Sequence, residues 1–241
     1  GTASTVAAGT ITNTFGTITA NLTGPGTNGA TALTADDITI DIASGGGTIG
    51  TTTATDDITI TTANTAAQVF TTLDGGAATT GAISITASGS GALTVTNAVT
   101  ASAGTLTLAG SAASGAITLN GSNQTGVATL EGGSGNDVLT GGSAGDTLTG
   151  NAGDDSLTGG AGNDTLVGGA GSDTLTTTSG VDNISGGAGN DTLNAGEGAD
   201  TVTGGIGADI IDFTESTSSA DTAIFAAAAS NGIDVITGFA P

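Results

Sequence analysis

The chain has 241 residues and contains no Lys, Arg, His, Cys, Met, Trp or Tyr. Against that stand 19 Asp and three Glu, for a formal charge of −22. A surface without cations cannot neutralise phosphates, which excludes nucleic-acid binding through basic contacts, and it has nothing to draw it to anionic lipid.

Residues 1–130 are dominated by Thr, Ala and Gly and hold only six of the acidic residues. Strict alternation marks short strands at Ile38–Ile42 and Ile58–Ile60, then at Ile83–Ile85, Leu93–Val95, Leu106–Leu108 and Ile117–Leu119. In each, an aliphatic residue falls on every second position, as in a half-buried strand. From Ile83 the strands recur every 10 to 13 residues between Gly/Ser/Asn turns. That spacing fits a β-sandwich or an irregular β-helix. The pentad Asp-Asp-Ile-Thr-Ile occurs at 36–40 and again at 56–60. Asp36, Asp37, Asp56 and Asp57 read first as turn formers before equivalent strands of a degenerate repeat. An additional calcium site at these four residues is the alternative.

A boundary is expected near residues 121–131, beyond which the other sixteen acidic residues lie. From Gly132 the chain falls into nine consecutive blocks of nine, beginning GGSGNDVLT and ending GGIGADIID. Position six is always Asp: Asp137, Asp146, Asp155, Asp164, Asp173, Asp182, Asp191, Asp200 and Asp209. Position eight is always aliphatic, from Leu139 to Ile211, and glycine fills most of positions one, two and four. The glycines suit a tight turn that brings backbone carbonyls close to an ion, and the last three residues suit a short strand with one side chain inward.

One block cannot bury its aliphatic residue alone, whereas two blocks make a full coil. Coils stacked roughly 4.8 Å apart pair their backbones and enclose a thin Leu/Ile core. The carboxylates then fall into two columns, one from Asp137 to Asp209 and one from Asp146 to Asp200. At an effective dielectric of about 20, carboxylates about 5 Å apart repel by roughly 3 kcal/mol, so an uncompensated stack should not hold. A hard divalent ion reverses the sign, and an all-oxygen, carbonyl-rich donor set selects calcium, several ions of it. Extracellular modules of this kind bind at about 10⁻⁴–10⁻³ M, the range of calcium outside cells. Weak points are expected at Asp182, whose block opens with Thr177 and Thr178, and at Asp200, preceded by Ala195 and Ala199. Asp137 and Asp209, at the ends, are candidate half-sites. Position three carries no regular Thr/Asn row of the kind a flat periodic binding face needs.

These blocks resemble the RTX (repeats-in-toxin) calcium-binding family over residues 132–212. The following Asp212-Phe213 and Gly232–Phe239 look like the segment that caps RTX rolls, with Phe213, Phe225 and Phe239 as a hydrophobic plug. Ala223–Ala229 is the longest apolar run, far short of a membrane span, and residues 223–230 hold the only candidate helix. With no basic n-region and no initiator Met, the chain reads as a processed product or a piece of something longer. The expected layout is therefore all-β: a Thr/Ala/Gly-rich domain over 1–130, a parallel β-roll over 131–212 and a cap over 213–241.

The resemblance implies type I secretion from a Gram-negative bacterium and calcium-triggered folding outside the cell. The texture of residues 1–130 resembles RTX surface-layer proteins, which implies self-association into a lattice or filament and a possible glycan anchor at the cell surface. An adhesin or matrix module, or the secretion and folding module of a larger toxin or enzyme, is the alternative. Catalysis is not expected. Without His, Cys, Lys, Arg or Tyr, a Ser or Thr nucleophile has no base, and the carboxylates available for acid–base work are mostly committed to the repeat.

Overall fold

The computed structural model describes residues 10–12, 17–28, 32–35, 37–54, 57–63, 65–74, 82–96, 98–99, 104–216, 219–225 and 232–238. Among them are twenty-three strands and no helix, and the strands form one sheet. The chain winds as a parallel solenoid. Thr165–Ala170, for example, pairs in parallel with Thr147–Ala152 one coil behind and with Asn183–Ala188 one coil ahead.

Of the two architectures open for residues 1–130, the irregular β-helix is the one formed. The two Asp-Asp-Ile-Thr-Ile pentads stack in register, Ile38 on Ile58 and Ile40 on Ile60. Coil length then varies, because Thr59 pairs with Ser84, Ser84 with Thr107 and Thr107 with Thr129. From Thr129 the steps settle at the eighteen residues of two nonapeptides, with Thr129 on Thr147 and Thr147 on Thr165. Pairing runs without a break through residues 121–131: the charge changes there, and the ladder does not.

Alternation decides the core. In Ile58–Thr62 the pattern is buried–exposed throughout, and in the repeat strands only position eight is inside. Leu139, Leu148, Leu157, Leu166, Leu175, Ile184, Leu193, Val202 and Ile211 are all at most 1 % exposed. Each such burial contributes about 1.5–3 kcal/mol. One aliphatic residue per block is a thin core, so backbone pairing between coils and the turns must supply the rest.

The outward residues on one face form a regular row after all. It runs by successive pairing from Thr39 through Thr59, Ser84, Thr107, Thr129, Thr147, Thr165, Asn183 and Thr201 to Thr222. In the repeats this is position seven, on the strand; position three lies in the turn, where no such row was found.

The tail departs from expectation in two ways. Thr222–Ile224 is a strand, paired with Thr201–Thr203, in place of the expected helix. An open sheet edge templates a short segment more readily than a few residues can nucleate a helix. Residues 226–230 lie outside the described residues. Of the plug, Phe213 is buried at 1 % exposure, but Phe225 is 57 % exposed, and Phe239 lies outside the described residues. At this end Phe213 packs in the core, with Ala223 and Ile236 partly buried against it.

Candidate metal centre

The first six residues of each block carry the chain round to position six, positions one to three of alternate blocks still being paired as strand, as in Thr147–Ala152 and Thr165–Ala170. From the third block on, the turn uses the left-handed region at positions two and four, except in the sixth block, where Gly180 takes it and Thr178 does not. Gly169 and Gly171 have φ of 122° and 133°, and a Cβ on Gly171 would collide with the carbonyl of Gly153 in the coil behind. Such contacts let successive turns nest. Asn151 takes the same conformation at φ 76° and donates its Nδ2 to Gly132 O at 2.9 Å. Gly133 and Gly142, in the first two blocks, are outside that region.

All nine position-six Asp residues are buried, at 0–3 % exposure. They form the two expected columns, and a repeated bond links them. The amide of Asp137 donates to Oδ1 of Asp155, Asp155 to Asp173, Asp173 to Asp191 and Asp191 to Asp209, at 2.7–3.0 Å. In the second column Asp146 donates to Asp164, Asp164 to Asp182 and Asp182 to Asp200, at 2.7–2.8 Å. Each Asp carbonyl in turn accepts a strand amide from the next coil, as Asp155 O does from Thr174 at 2.8 Å. Register and carboxylate position are therefore fixed together.

The second carboxylate oxygen divides the columns. Oδ2 of Asp137 accepts the Gly133 amide at 2.7 Å, and Oδ2 of Asp146 accepts the Gly142 amide at 2.6 Å. In Asp155, Asp164, Asp173, Asp182, Asp191, Asp200 and Asp209 the same atom is buried with no hydrogen-bond partner. A buried acceptor without a donor costs about 1–3 kcal/mol, and more if charged. Burial pushes the carboxyls of Asp155, Asp191 and Asp200 up to about 6 and that of Asp164 to about 7. Amides of the preceding coil pull the other way, and neighbouring carboxylates add to the rise. Burial raises Asp173, Asp182 and Asp209 as well. The chain has no cation to offer these oxygens.

A metal ion can supply what the chain lacks, and the surroundings fit one kind. Beside five of the seven orphaned oxygens, those of Asp155, Asp164, Asp173, Asp191 and Asp209, lies the space left by a position-one glycine. A Cβ on Gly168 would press on Asp173 Oδ2 and stand 2.6 Å from Gly186 O of the next coil. The same pair of oxygens closes on Gly150 and on Gly186. Among the described residues no three acidic side chains gather at one point, so carboxylate oxygens would be supplemented by backbone carbonyls. That all-oxygen set suits calcium.

Asp182 and Asp200, the expected weak points, differ from the others at position one. Thr177 fills the position-one space, and its hydroxyl donates to Ala195 O at 2.5 Å. That carbonyl stands to Asp182 as Gly186 O stands to Asp173. The Thr178 amide and hydroxyl both go to Gly160 O. At Asp200 the methyl of Ala195 occupies the corresponding space. Asp137, expected to be a half-site for want of a stacked neighbour, has the Gly133 amide on its Oδ2, with Gly150 O beside the same oxygen as at the inner positions.

Two features were not expected from the sequence. Position five makes a partial ladder of its own: Asn136 Oδ1 accepts the Asp154 amide and Asp154 Oδ1 accepts that of Ser172, at 3.0 and 2.8 Å. Asp221 and Asp234 continue the two columns, accepting the amides of Asp200 and Asp209 at 3.0 and 3.1 Å. The signal for them was present out of frame, since Asp234-Val235-Ile236-Thr237 repeats the pattern Asp137-Val138-Leu139-Thr140. In the upstream helix, Asp57 is exposed and its Oδ1 accepts the Ala82 amide at 2.8 Å, as a turn former does. Asp37 opens the strand Asp37–Ala54, while Asp36 and Asp56 lie outside the described residues.

The family model of the RTX calcium-binding nonapeptide repeat (4 copies) matches residues 125–144, 140–175 and 176–211. No curated protein and no solved structure matches the chain.

Proposed function

Residues 125–211 are an array of RTX calcium-binding nonapeptide repeats, and from that premise we propose that the protein is a secreted calcium-binding structural protein, a self-assembling subunit of a bacterial surface layer, sheath or filament. The observation that carries the calcium part is the set of seven buried Oδ2 atoms with no donor. Calcium held by Asp155, Asp164, Asp173, Asp182, Asp191, Asp200 and Asp209, with carbonyls of the position-one residues, turns a repulsive stack into a rigid one. Proteins with RTX repeats are typically secreted by Gram-negative bacteria, where external calcium is available and internal calcium is not. The assembly part is supported by the rigid parallel rod and by the charge of −22 with no cation. Neighbouring acidic copies repel until a divalent ion bridges them. The chain acts without catalysis on this reading, and a glycan or other surface component anchors the layer.

Electron microscopy of the purified chain tests it. Sheets or filaments are expected in millimolar calcium and none in chelator; monodisperse single rods in both would sink the assembly reading. A second reading, an adhesin or matrix module, draws on the outward row from Thr39 to Thr222, hydroxyl-bearing at every place but Asn183. Its mark would be calcium-dependent retention on an insoluble polysaccharide by chains that remain single.

A further inference from the structure

The two ends of the carboxylate ladder are built differently. At the upstream end the residues that donate to Asp137 and Asp146 are Ile117 and Ala128, each at 2.7 Å. No carboxylate stands there, and the second oxygens of Asp137 and Asp146 are satisfied by Gly133 and Gly142. That end is closed by hydrogen bonds alone. At the downstream end the repeat stops at Asp212, yet Oδ2 of Asp200 and of Asp209 are still buried, at 1 % and 0 % residue exposure, and still without a donor.

Beyond them the chain makes one more coil with longer loops. Thr222 stacks on Thr201 and Val235 on Ile210, each in the same parallel register as the repeat strands. The residue before each strand is an Asp whose Oδ1 receives the amide of the column member behind it, Asp221 from Asp200 and Asp234 from Asp209. This is the ladder step of the repeat, reproduced by two residues outside it and spaced 21 and 25 residues on. A mere turn cap would need the Oδ1 bond; it would not need a carboxylate, nor an orphaned oxygen on the partner.

The geometry points to Asp221 and Asp234 as calcium ligands that complete a terminal site in each column, with Asp200 and Asp209 as their partners. The assignment rests on the calcium reading of the ladder and extends it past the last nonapeptide. Glu215 is no part of it: its two oxygens are taken by the Ser219 amide and hydroxyl, at 2.5 and 2.6 Å, and by the Gly198 amide. Backbone carbonyls complete the set, as at the inner sites.

The experiment counts calcium per full-length chain by equilibrium dialysis for the wild type, Asp221→Asn, Asp234→Asn, Asp155→Asn and Asp41→Asn. Asparagine keeps the Oδ1 acceptor, so the ladder bond survives while the charge and one metal ligand are lost. Asp221→Asn and Asp234→Asn should each take up one ion fewer than the wild type. Hydrogen exchange in saturating calcium should then lose protection at Thr222–Ile224 or Val235–Thr237 alone. Asp155→Asn should lose an ion with its tail still protected, and Asp41→Asn, an exposed residue of the upstream helix, should keep the full count. A full count in both tail variants overturns the assignment, provided Asp155→Asn shows a loss. Collapse of the whole β signal in a tail variant overturns it too, since the carboxylate would then serve folding and not a local site. A wild type that takes up no calcium would instead remove the calcium reading of the entire ladder, and the terminal sites with it.

Discussion

The amide of Asp164 donates to Oδ1 of Asp182 in the next coil at 2.7 Å, while the other oxygen of Asp182 is buried without a donor. One carboxylate thus does two opposite things. Its first oxygen fixes coil-to-coil register, and its second makes that register unfavourable until a proton or a cation arrives.

Acid should replace calcium. The folded-state values, about 6 for Asp155, Asp191 and Asp200 and about 7 for Asp164, lie above the ordinary 3.8. A raised carboxyl binds its proton more tightly when folded, so its stabilisation is complete below the unfolded value and is lost as pH rises through 6 to 7. In chelator, circular dichroism at pH 5 should show the β signal of the repeats, fading by pH 8. Adding calcium at pH 8 should restore it. A calcium-free spectrum unchanged between pH 5 and 8, or less β at pH 5, would count against the buried ladder.

Two members of one column should respond differently to the same change. Asp155→Asn removes a ligand and should weaken calcium-induced folding by roughly 10- to 100-fold in midpoint, the value of one charge-assisted contact. In Asp137→Asn the new amide faces the Gly133 N–H, donor against donor. That variant should be less stable by about 1–3 kcal/mol with the calcium midpoint little moved. Calcium titrations and urea melts of the pair decide it, and equal midpoint shifts would refute the division at Oδ2.

The position-one space should tune affinity. Gly168→Ala pushes on Asp173 Oδ2 and should raise the calcium concentration needed. The fold should survive, since Ala195 already holds the equivalent place in its own block. Thr177→Gly, which frees Ala195 O from a hydroxyl, should lower it. Terbium luminescence titration would register both; a Thr177→Gly variant that bound more weakly would show that the hydroxyl supports the site.

Chelator should melt the chain unevenly. Every buried carboxylate among the described residues lies at or beyond Asp137, whereas Ile58, Ile60, Ile83, Ile85, Leu93 and Leu106 pack an upstream core free of them. Hydrogen exchange in chelator at neutral pH should find residues 57–120 protected and residues beyond 150 open. Uniform loss over the whole solenoid would mean that the upstream coils depend on the ions as well.

Much of this was legible in the sequence because a solenoid repeats its geometry in frame. Nine Asp at one interval of nine can only fall into two columns once two blocks make a coil, and Leu139 to Ile211 can only face inward. The contrast between Asp137 and Asp155 was not legible. It depends on where the position-two amide goes, to Asp137 Oδ2 from Gly133 but to Gly160 O of the coil behind from Thr178, and Gly133 and Gly169 are the same residue in different conformations. Asp221 and Asp234 were hidden by longer loops that break the frame. The threonine row was missed because it belongs to the strand, whereas attention to the turn placed the search at position three. Phe225 reads as core by type and lies outside, just past the strand Thr222–Ile224.

The hydrogen-bonded first coil has a kinetic meaning. Asp137 and Asp146 accept the amides of Ile117 and Ala128, so the upstream helix offers an edge closed by hydrogen bonds onto which the next coil can dock. An edge of that kind would spare the calcium-dependent coils the cost of starting a stack. Ordering should then advance in one direction, coil by coil from residue 150 toward the tail, as growth from a seed.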